Sequence, residues 1–153
     1  MPTEQVERLW QRLGRVQQLR FQARSALGGA GWNGRGRGLV AVQRAAADTL
    51  VFTESGTWKG AGGRAFQFSN VYRWRLDRAG GALNLEHLRL GLEQPVFLVR
   101  LVPGDRGGLV SEVPHPCGAD RYAAVLRPVW RGVELRWHIS GPAKDEDIRY
   151  TYR

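Results

Sequence analysis

The feature that most constrains the fold is an alternation of apolar and polar side chains over residues 65–76. One face of this run carries large apolar side chains and is interrupted only by Asn70; it comprises Phe66, Phe68, Tyr72, Trp74 and Leu76. The other face is mostly polar and comprises Gln67, Ser69, Val71, Arg73 and Arg75. Residues two apart point to the same side of a β-strand, so the run predicts a strand with one buried face. We expect the aromatic face to point inward and the arginines to point outward.

The same two-residue period recurs along the chain and predicts further strands. Apolar residues alternate with polar ones over 18–24, 133–139 and 148–153, and strand-like composition marks 38–44, 48–58, 82–90 and 95–102. Glycine-rich segments at 77–81 and 104–108 predict turns. The glycines of 26–38 predict turns, bulges or close backbone approach. Eight to ten short strands joined by short turns favour an all-β, antiparallel up-and-down barrel.

A helical period appears only at the N-terminus. Val6, Leu9, Trp10 and Leu13 follow the spacing of one helix face, and Gly14 is a natural stop. We therefore expect one domain over residues 1–153, with a short helix within 1–14 and the barrel over 15–153. The helix would plug or flank one end of the barrel.

Composition restricts the compartment and the partners. No apolar run is long enough for a membrane span, and a lone cysteine fits a reducing compartment, so we expect a cytoplasmic protein without a membrane partner. The net charge of +9 comes mainly from arginines that alternate with apolar residues along the strands. Scattered arginines favour a solvated surface and argue against a nucleic-acid partner. The sequence leaves a homodimer open.

The segment from His115 to Tyr122 concentrates reactive side chains, because His115, Cys117, Asp120 and Tyr122 lie within eight residues. These residues could act as metal ligands or as a cysteine nucleophile with a base. His87, His138 and Glu134 could complete a metal set only if the fold brings them close. The alternative is an irregular loop at Pro116 that shapes one end of the barrel. We expect no metal, no cofactor and no catalytic residue, and the sequence leans against an enzyme without excluding one.

Several segments together resemble an uncharacterised family of small bacterial and fungal proteins, a domain of unknown function. The resemblance covers about residues 15–153. It rests on Gly31-Trp32-Asn33-Gly34, residues 52–56 and Tyr72-Arg73-Trp74. It also rests on a closing set: His115, Cys117, Asp120, Tyr122, Trp137, Gly141-Pro142, Lys144-Asp145 and Tyr150. The resemblance implies a lipocalin-like, or calycin-like, barrel whose interior holds a small ligand. It implies no activity and no catalytic residue.

The sequence therefore predicts a barrel that binds a small ligand. The ligand is expected to be apolar or amphipathic, and an acidic group on it would fit the nearby arginines. The candidate ligand-binding residues are His115, Asp120, Tyr122, Trp137, Lys144, Tyr72, Trp74 and Arg136. Two alternatives stay open. One is an enzyme that uses the His115, Asp120 and Tyr122 loop, and the other is a basic module that binds an acidic partner.

Overall fold

The protein is a β-barrel with one N-terminal helix in a computed structural model, which describes residues 2–26, 33–60 and 62–153. Helix α1 spans Pro2–Leu13. The strands in this part of the chain are β1 Gln18–Ser25, β2 Gly34–Ala46, β3 Thr49–Gly60, β4 Ala65–Asp77, β5 Ala82–His87, β6 Val96–Pro103, β7 Leu109–Ser111, β8 His115–Cys117, β9 Asp120–Val129, β10 Gly132–Gly141 and β11 Lys144–Tyr152. The predictions on Gly31 and Trp32 lie outside the described residues.

Ten of these strands close into a ring. The hydrogen-bonded order runs from β1 through β7 to β9, and the pairs β9–β10, β10–β11 and β11–β1 complete the circle. All described pairs are antiparallel, and the short β8 adds to the edge of β9. The predicted all-β, up-and-down barrel with a short N-terminal helix is therefore confirmed.

The aromatic face of β4 points into the barrel. Trp74 is 1% exposed and lies opposite Leu50, while Tyr72 lies opposite Phe52. On the outer face, Arg73 donates two hydrogen bonds to Glu86, at 2.9 and 3.2 Å. A strand with one dry face turns its large apolar side chains toward the core, so the expected orientation of 65–76 is correct except at Phe66, which is 40% exposed.

Strand β2 begins at Gly34, four residues before the predicted start. The glycines of this segment belong to a strand because they allow close approach rather than a turn. A Cβ atom on Gly36 would collide with the ring of Phe21 on the neighbouring strand, and one on Gly38 would collide with the Ser55 carbonyl. Glycine is needed where another chain segment fills the space of a side chain.

Helix α1 covers one end of the barrel. Its apolar face, formed by Val6, Leu9, Trp10 and Leu13, is at most 3% exposed and joins the barrel core. Arg12 at its last turn donates hydrogen bonds to two carbonyls beside the β9–β10 turn, at 2.8 and 3.0 Å. Burial of these four side chains contributes about 1.5–3 kcal/mol each. The predicted plug is present at the end where β2–β3, β4–β5 and β9–β10 turn.

The opposite end is formed by the other set of turns, because an antiparallel meander reverses direction at each strand. It includes the β5–β6 connection, the β8–β9 turn at Gly118-Ala119 and the β10–β11 turn at Pro142-Ala143. The predicted irregular loop at Pro116 is therefore wrong, since His115–Cys117 forms a short hairpin with β9. No helix in the described ranges is long and apolar enough to cross a membrane.

Candidate functional site

An internal cavity of about 260 Å³ lies between the helix-covered end and the open end of the barrel. Side chains from β4, β5, β6, β8, β9, β10 and β11 line it. They point inward because residues two apart on a strand share a face. The cavity is therefore formed by seven strands rather than by one loop.

The floor of the cavity is apolar and closed. Trp74, Leu85, Leu135 and Tyr152 line it, and each is at most 2% exposed. Phe52 lies behind this layer with its ring 6.2 Å from that of Trp74 and 5.6 Å from that of Tyr152. A dry, aromatic floor of this kind favours the flat apolar part of a ligand.

A buried carboxyl lies next to the cavity, behind the lining residue Tyr152. Glu54 is 0% exposed, and the Tyr152 hydroxyl donates a 2.6 Å hydrogen bond to its Oε2. Its Oε1 has no hydrogen-bond partner in the described part of the chain. Burial raises the pKa of Glu54 to about 7, and the bond from Tyr152 opposes part of that rise.

Two further phenols lie next to this pair. Tyr150 stacks on Tyr152 with ring centroids 5.8 Å apart, and Tyr72 lies close enough to Tyr150 to affect its pKa. Burial, the largest cause, raises the pKa of both Tyr72 and Tyr150. Both hydroxyls therefore stay protonated at neutral pH, and each can donate a hydrogen bond.

A donor and a cation lie at one side of the mouth. His87 packs edge-on against Tyr72 at 4.8 Å, and its Nδ1 accepts a 2.9 Å hydrogen bond from the Arg89 backbone N–H. Burial, followed by the charge of Arg89, lowers the pKa of His87. Neutral His87 with an accepting Nδ1 carries its proton on Nε2, which is then a hydrogen-bond donor. The exposed Arg89 adds a positive charge to the cavity lining.

The other side of the mouth carries an aromatic row. The Tyr122 ring lies 6.3 Å from His115 and 6.4 Å from Trp137, edge-on in both cases. Antiparallel register explains the row, since His115 is opposite Tyr122 and Trp137 lies diagonally across β10. Burial raises the pKa of Tyr122 and nearby Lys144 lowers it in part.

A rim ion pair holds the turn that borders this row. Lys144 Nζ lies 3.5 Å from Asp120 Oδ2, and Tyr122 and Asp120 together raise the pKa of Lys144. Gly141 makes this possible, because a Cβ atom there would collide with the Asp120 carboxyl. The pair is an exposed brace of the β8–β9 and β10–β11 turns, and pairs of this kind contribute little stability.

The wall of the barrel is open beside the mouth. Strand β6 pairs with β7 only through Leu101–Pro103, and within the described ranges no ladder joins Val96–Val99 to β8. The pairing of β5 with β6 shifts register between Leu85 and Glu86, so Leu98 is the extra, unpaired residue of a bulge in β6, and it lines the cavity. Val96 and Leu98 line the cavity on one side of this interruption, and His115 and Cys117 line it on the other.

The structure brings five of the eight predicted ligand-binding residues to one cavity: Tyr72, Trp74, His115, Tyr122 and Trp137. Asp120 and Lys144 lie at the rim. Arg136 does not join them, because it lies on the outer face of β10 and bonds Asp147 at 2.9 and 3.2 Å. The alternation that turns Trp137 inward necessarily turns Arg136 outward.

The geometry of the His115–Tyr122 hairpin also bears on the two chemical alternatives for this segment, a nucleophile–base pair and a metal site. In the described part of the chain, no hydrogen bond or ion pair joins His115 to Cys117 or Asp120, so the hairpin does not form a nucleophile–base pair there. Cys117 is exposed. No group of three or more metal-ligating side chains was found among the described residues, and His138 faces Asp145 at 3.4 Å instead.

Sequence reasoning missed several residues of the site. Glu54 lies in an apolar strand whose alternation places it inside, and a charged residue on an inward face is the signal that could have identified it. Tyr150 and Tyr152 share the inward face of β11, and their alternation was visible in the sequence. His87 ends β5 and Arg89 follows it in the next turn, with no sequence motif, so only the closed ring reveals their position.

Comparison with known proteins gives a family and no activity. No curated protein and no solved structure matches the chain. The model of a family of unknown function, DUF6314, matches residues 16–153. The match covers the whole barrel and agrees with the resemblance to an uncharacterised domain. The chain is therefore a member of DUF6314, a family of unknown function.

Proposed function

We propose that the protein binds a small amphipathic ligand with an aromatic body inside its barrel, in the manner of calycins. The observation that supports this is the 260 Å³ cavity, whose floor is apolar and whose wall and mouth carry converging donors. Ligand pockets generally combine an apolar lining with a few polar groups that fix orientation. The exposed free thiol of Cys117 supports a reducing, cytoplasmic compartment for this role.

The size of the cavity limits the ligand. An apolar cavity of about 150 Å³ holds benzene, and drug-sized ligands occupy roughly 300–1,000 Å³. A volume of about 260 Å³ falls between these values and suits one ring with a side chain or two fused rings. The ligand body would stack among Trp74, Trp137 and Tyr72.

The charges of the mouth favour an acceptor or anion at the outer end of the ligand. Arg89 is a cation, and neutral His87 offers an N–H donor next to it. The rim acid Asp120 is engaged with Lys144, which leaves Arg89 as the cation of the cavity lining that can meet the ligand. A carboxylate at the His87 side would gain a charge-assisted hydrogen bond.

Tryptophan fluorescence tests this proposal directly, since Trp74 and Trp137 line the cavity. The purified protein is titrated with 2-naphthoate and with the neutral analogue 2-naphthylmethanol. Both should change the emission with saturation. Arg89→Gln should weaken naphthoate about fivefold to tenfold and leave naphthylmethanol unchanged, because only the first loses an ionic contact.

A cavity-filling variant separates interior binding from surface binding. Leu98→Trp enlarges a side chain that lines the cavity, whereas Val125→Trp adds the same side chain on the outer face, where Val125 is 39% exposed. We expect the first to abolish saturation by both probes and the second to preserve it. Equal binding by both variants, or no binding by the unmodified protein, would refute the proposal.

A further inference from the structure

A second surface of the protein is an array of cations on the outside of the barrel. Arg20 of β1, Arg35 and Arg37 of β2, Lys59 of β3 and Arg149 of β11 line one open groove of about 1830 Å³. All five side chains are exposed. Among the described residues that line this groove, none is acidic. The groove lies on the opposite side of the sheet from the internal cavity and is independent of the proposed ligand.

Strand register arranges these cations in two rows. Arg37 lies directly opposite Arg20, and Arg35 lies directly opposite Lys59. Arg149 extends the second row across Gln22. Rows two residues apart are about 7 Å apart along the strands, and neighbouring strands are about 4.8 Å apart. The arginines that look scattered in the sequence therefore form one array about 14 Å wide.

The array is unfavourable for the isolated protein. Like charges directly opposite each other on a sheet are destabilising. In the part of the chain that the structure describes, Arg20, Arg35, Arg37 and Lys59 take part in no ion pair, and Arg149 reaches Glu134 only at 3.9 Å. Four outward arginines elsewhere, Arg73, Arg100, Arg127 and Arg136, each have a carboxylate within 3.0 Å, whereas the exposed Arg24 and Arg121 have no ion pair in the described part of the chain. What distinguishes the array is the clustering of five cations without a close counter-charge, and this clustering points to an external anion.

The other outward residues of the groove indicate what kind of anion. They are hydroxyl and amide side chains with a single aliphatic one: Gln18, Gln22, Ser55, Thr57, Gln67, Ser69, Thr151 and Leu39. Arginine, lysine, hydroxyl and amide groups are the usual contacts to phosphate and sugar. A protein partner would need an apolar centre or a free strand edge, and here β1, β2 and β3 are paired on both sides.

We propose that this array binds the phosphate backbone of double-stranded nucleic acid without reading its sequence. The outward positions of the groove carry no aromatic side chain among the described residues, whereas single-strand binders use aromatic platforms for the bases. The second row spans about 14 Å from Arg149 to Lys59, which is close to the roughly 12 Å width of the B-DNA major groove, so cations at its two ends can meet phosphates of both strands.

Salt dependence provides the quantitative test. Binding of a fluorescently labelled 20-base-pair duplex is followed by anisotropy between 50 and 200 mM NaCl. With five phosphate contacts, the slope of log K against log salt should be about −4.5, which is a loss of several hundred-fold in affinity over this range. A slope between 0 and −1 would refute the array as the binding surface.

Two double variants with the same change in charge localise the effect. Arg35→Gln/Arg37→Gln removes the centre of the array, and Arg106→Gln/Arg121→Gln removes two exposed arginines elsewhere. The first should weaken duplex binding at least tenfold at 100 mM NaCl and reduce the slope by about 2, while the second should change affinity less than twofold. All four positions are exposed, so both variants should fold, as circular dichroism would verify. Equal losses, tighter binding of a single strand, or tighter binding of polyglutamate would each overturn the proposal.

Discussion

The buried carboxyl of Glu54 makes a prediction about how stability depends on pH. Glu54 is 0% exposed, and its only hydrogen bond in the described part of the chain comes from Tyr152. Burial raises its pKa from the ordinary 4.5 to about 7. The folded state therefore holds a proton between these two pH values that the unfolded state releases.

The difference between the two pKa values sets the direction and the size of the change in stability with pH. A group with a raised pKa stabilises the fold fully below its unfolded pKa of 4.5, and that stabilisation is lost as the pH rises toward 7. Each pH unit corresponds to about 1.4 kcal/mol, so the loss is about 3 kcal/mol by pH 8. Glu54→Gln keeps an acceptor for Tyr152 and cannot ionise, so the variant should escape this loss.

Urea unfolding at pH 4.5 to 8.5, followed by tryptophan fluorescence, measures the effect. The free energy of unfolding of Glu54→Gln minus that of the unmodified protein should rise by about 3 kcal/mol across this range, because other titrating groups cancel in the difference. Tyr152→Phe removes the hydrogen bond that lowers the pKa of Glu54. In that variant the loss of unfolding free energy with rising pH should therefore extend to higher pH. A difference that stays constant within about 0.5 kcal/mol would refute the argument.

Two further predictions concern the fold. Gly36→Ala should cost about 1–3 kcal/mol in urea unfolding because its Cβ would enter the ring of Phe21, whereas Gly62→Ala, with nothing within 4 Å, should change stability by less than about 0.5 kcal/mol. Similar losses for both would contradict the close-approach explanation of β2. Arg12→Met should cost about 1–3 kcal/mol and increase amide exchange in the β9–β10 turn, because two carbonyls lose their donor. Unchanged exchange there would show that the helix does not hold this turn.

The fold could be predicted because the alternation of apolar and polar residues shows which face of a strand is buried. In β4 the pattern identified the inner face correctly, since Trp74 is buried and Arg75 is exposed. The helix could be placed within two residues from its apolar spacing. These signals are local, so one sequence contains them.

The site was only partly predictable because it depends on closure of the ring. Residues on β4 and β11 share the cavity although β11 is the last strand and β1 to β3 separate the two around the ring. Arg136 lies outside the cavity because it alternates with the inward-facing Trp137 along β10. His87 and Arg89 became recognisable only when the β5–β6 connection was located at the open end.

Glu54 and the outer array share a physical property. A buried carboxyl oxygen without a partner and a set of opposed cations both reduce the stability of the isolated fold. Close ion pairs such as that of Arg127 and Glu134 relieve such conflicts at other places in the described part of the chain, although Gln5 Nε2 is also buried there without a partner. A sequence that violates local rules at only a few places does so where another requirement acts. For the array we propose that this requirement is an anion from outside, and for Glu54 that it is a carboxyl that can hold a proton near neutral pH next to the internal cavity.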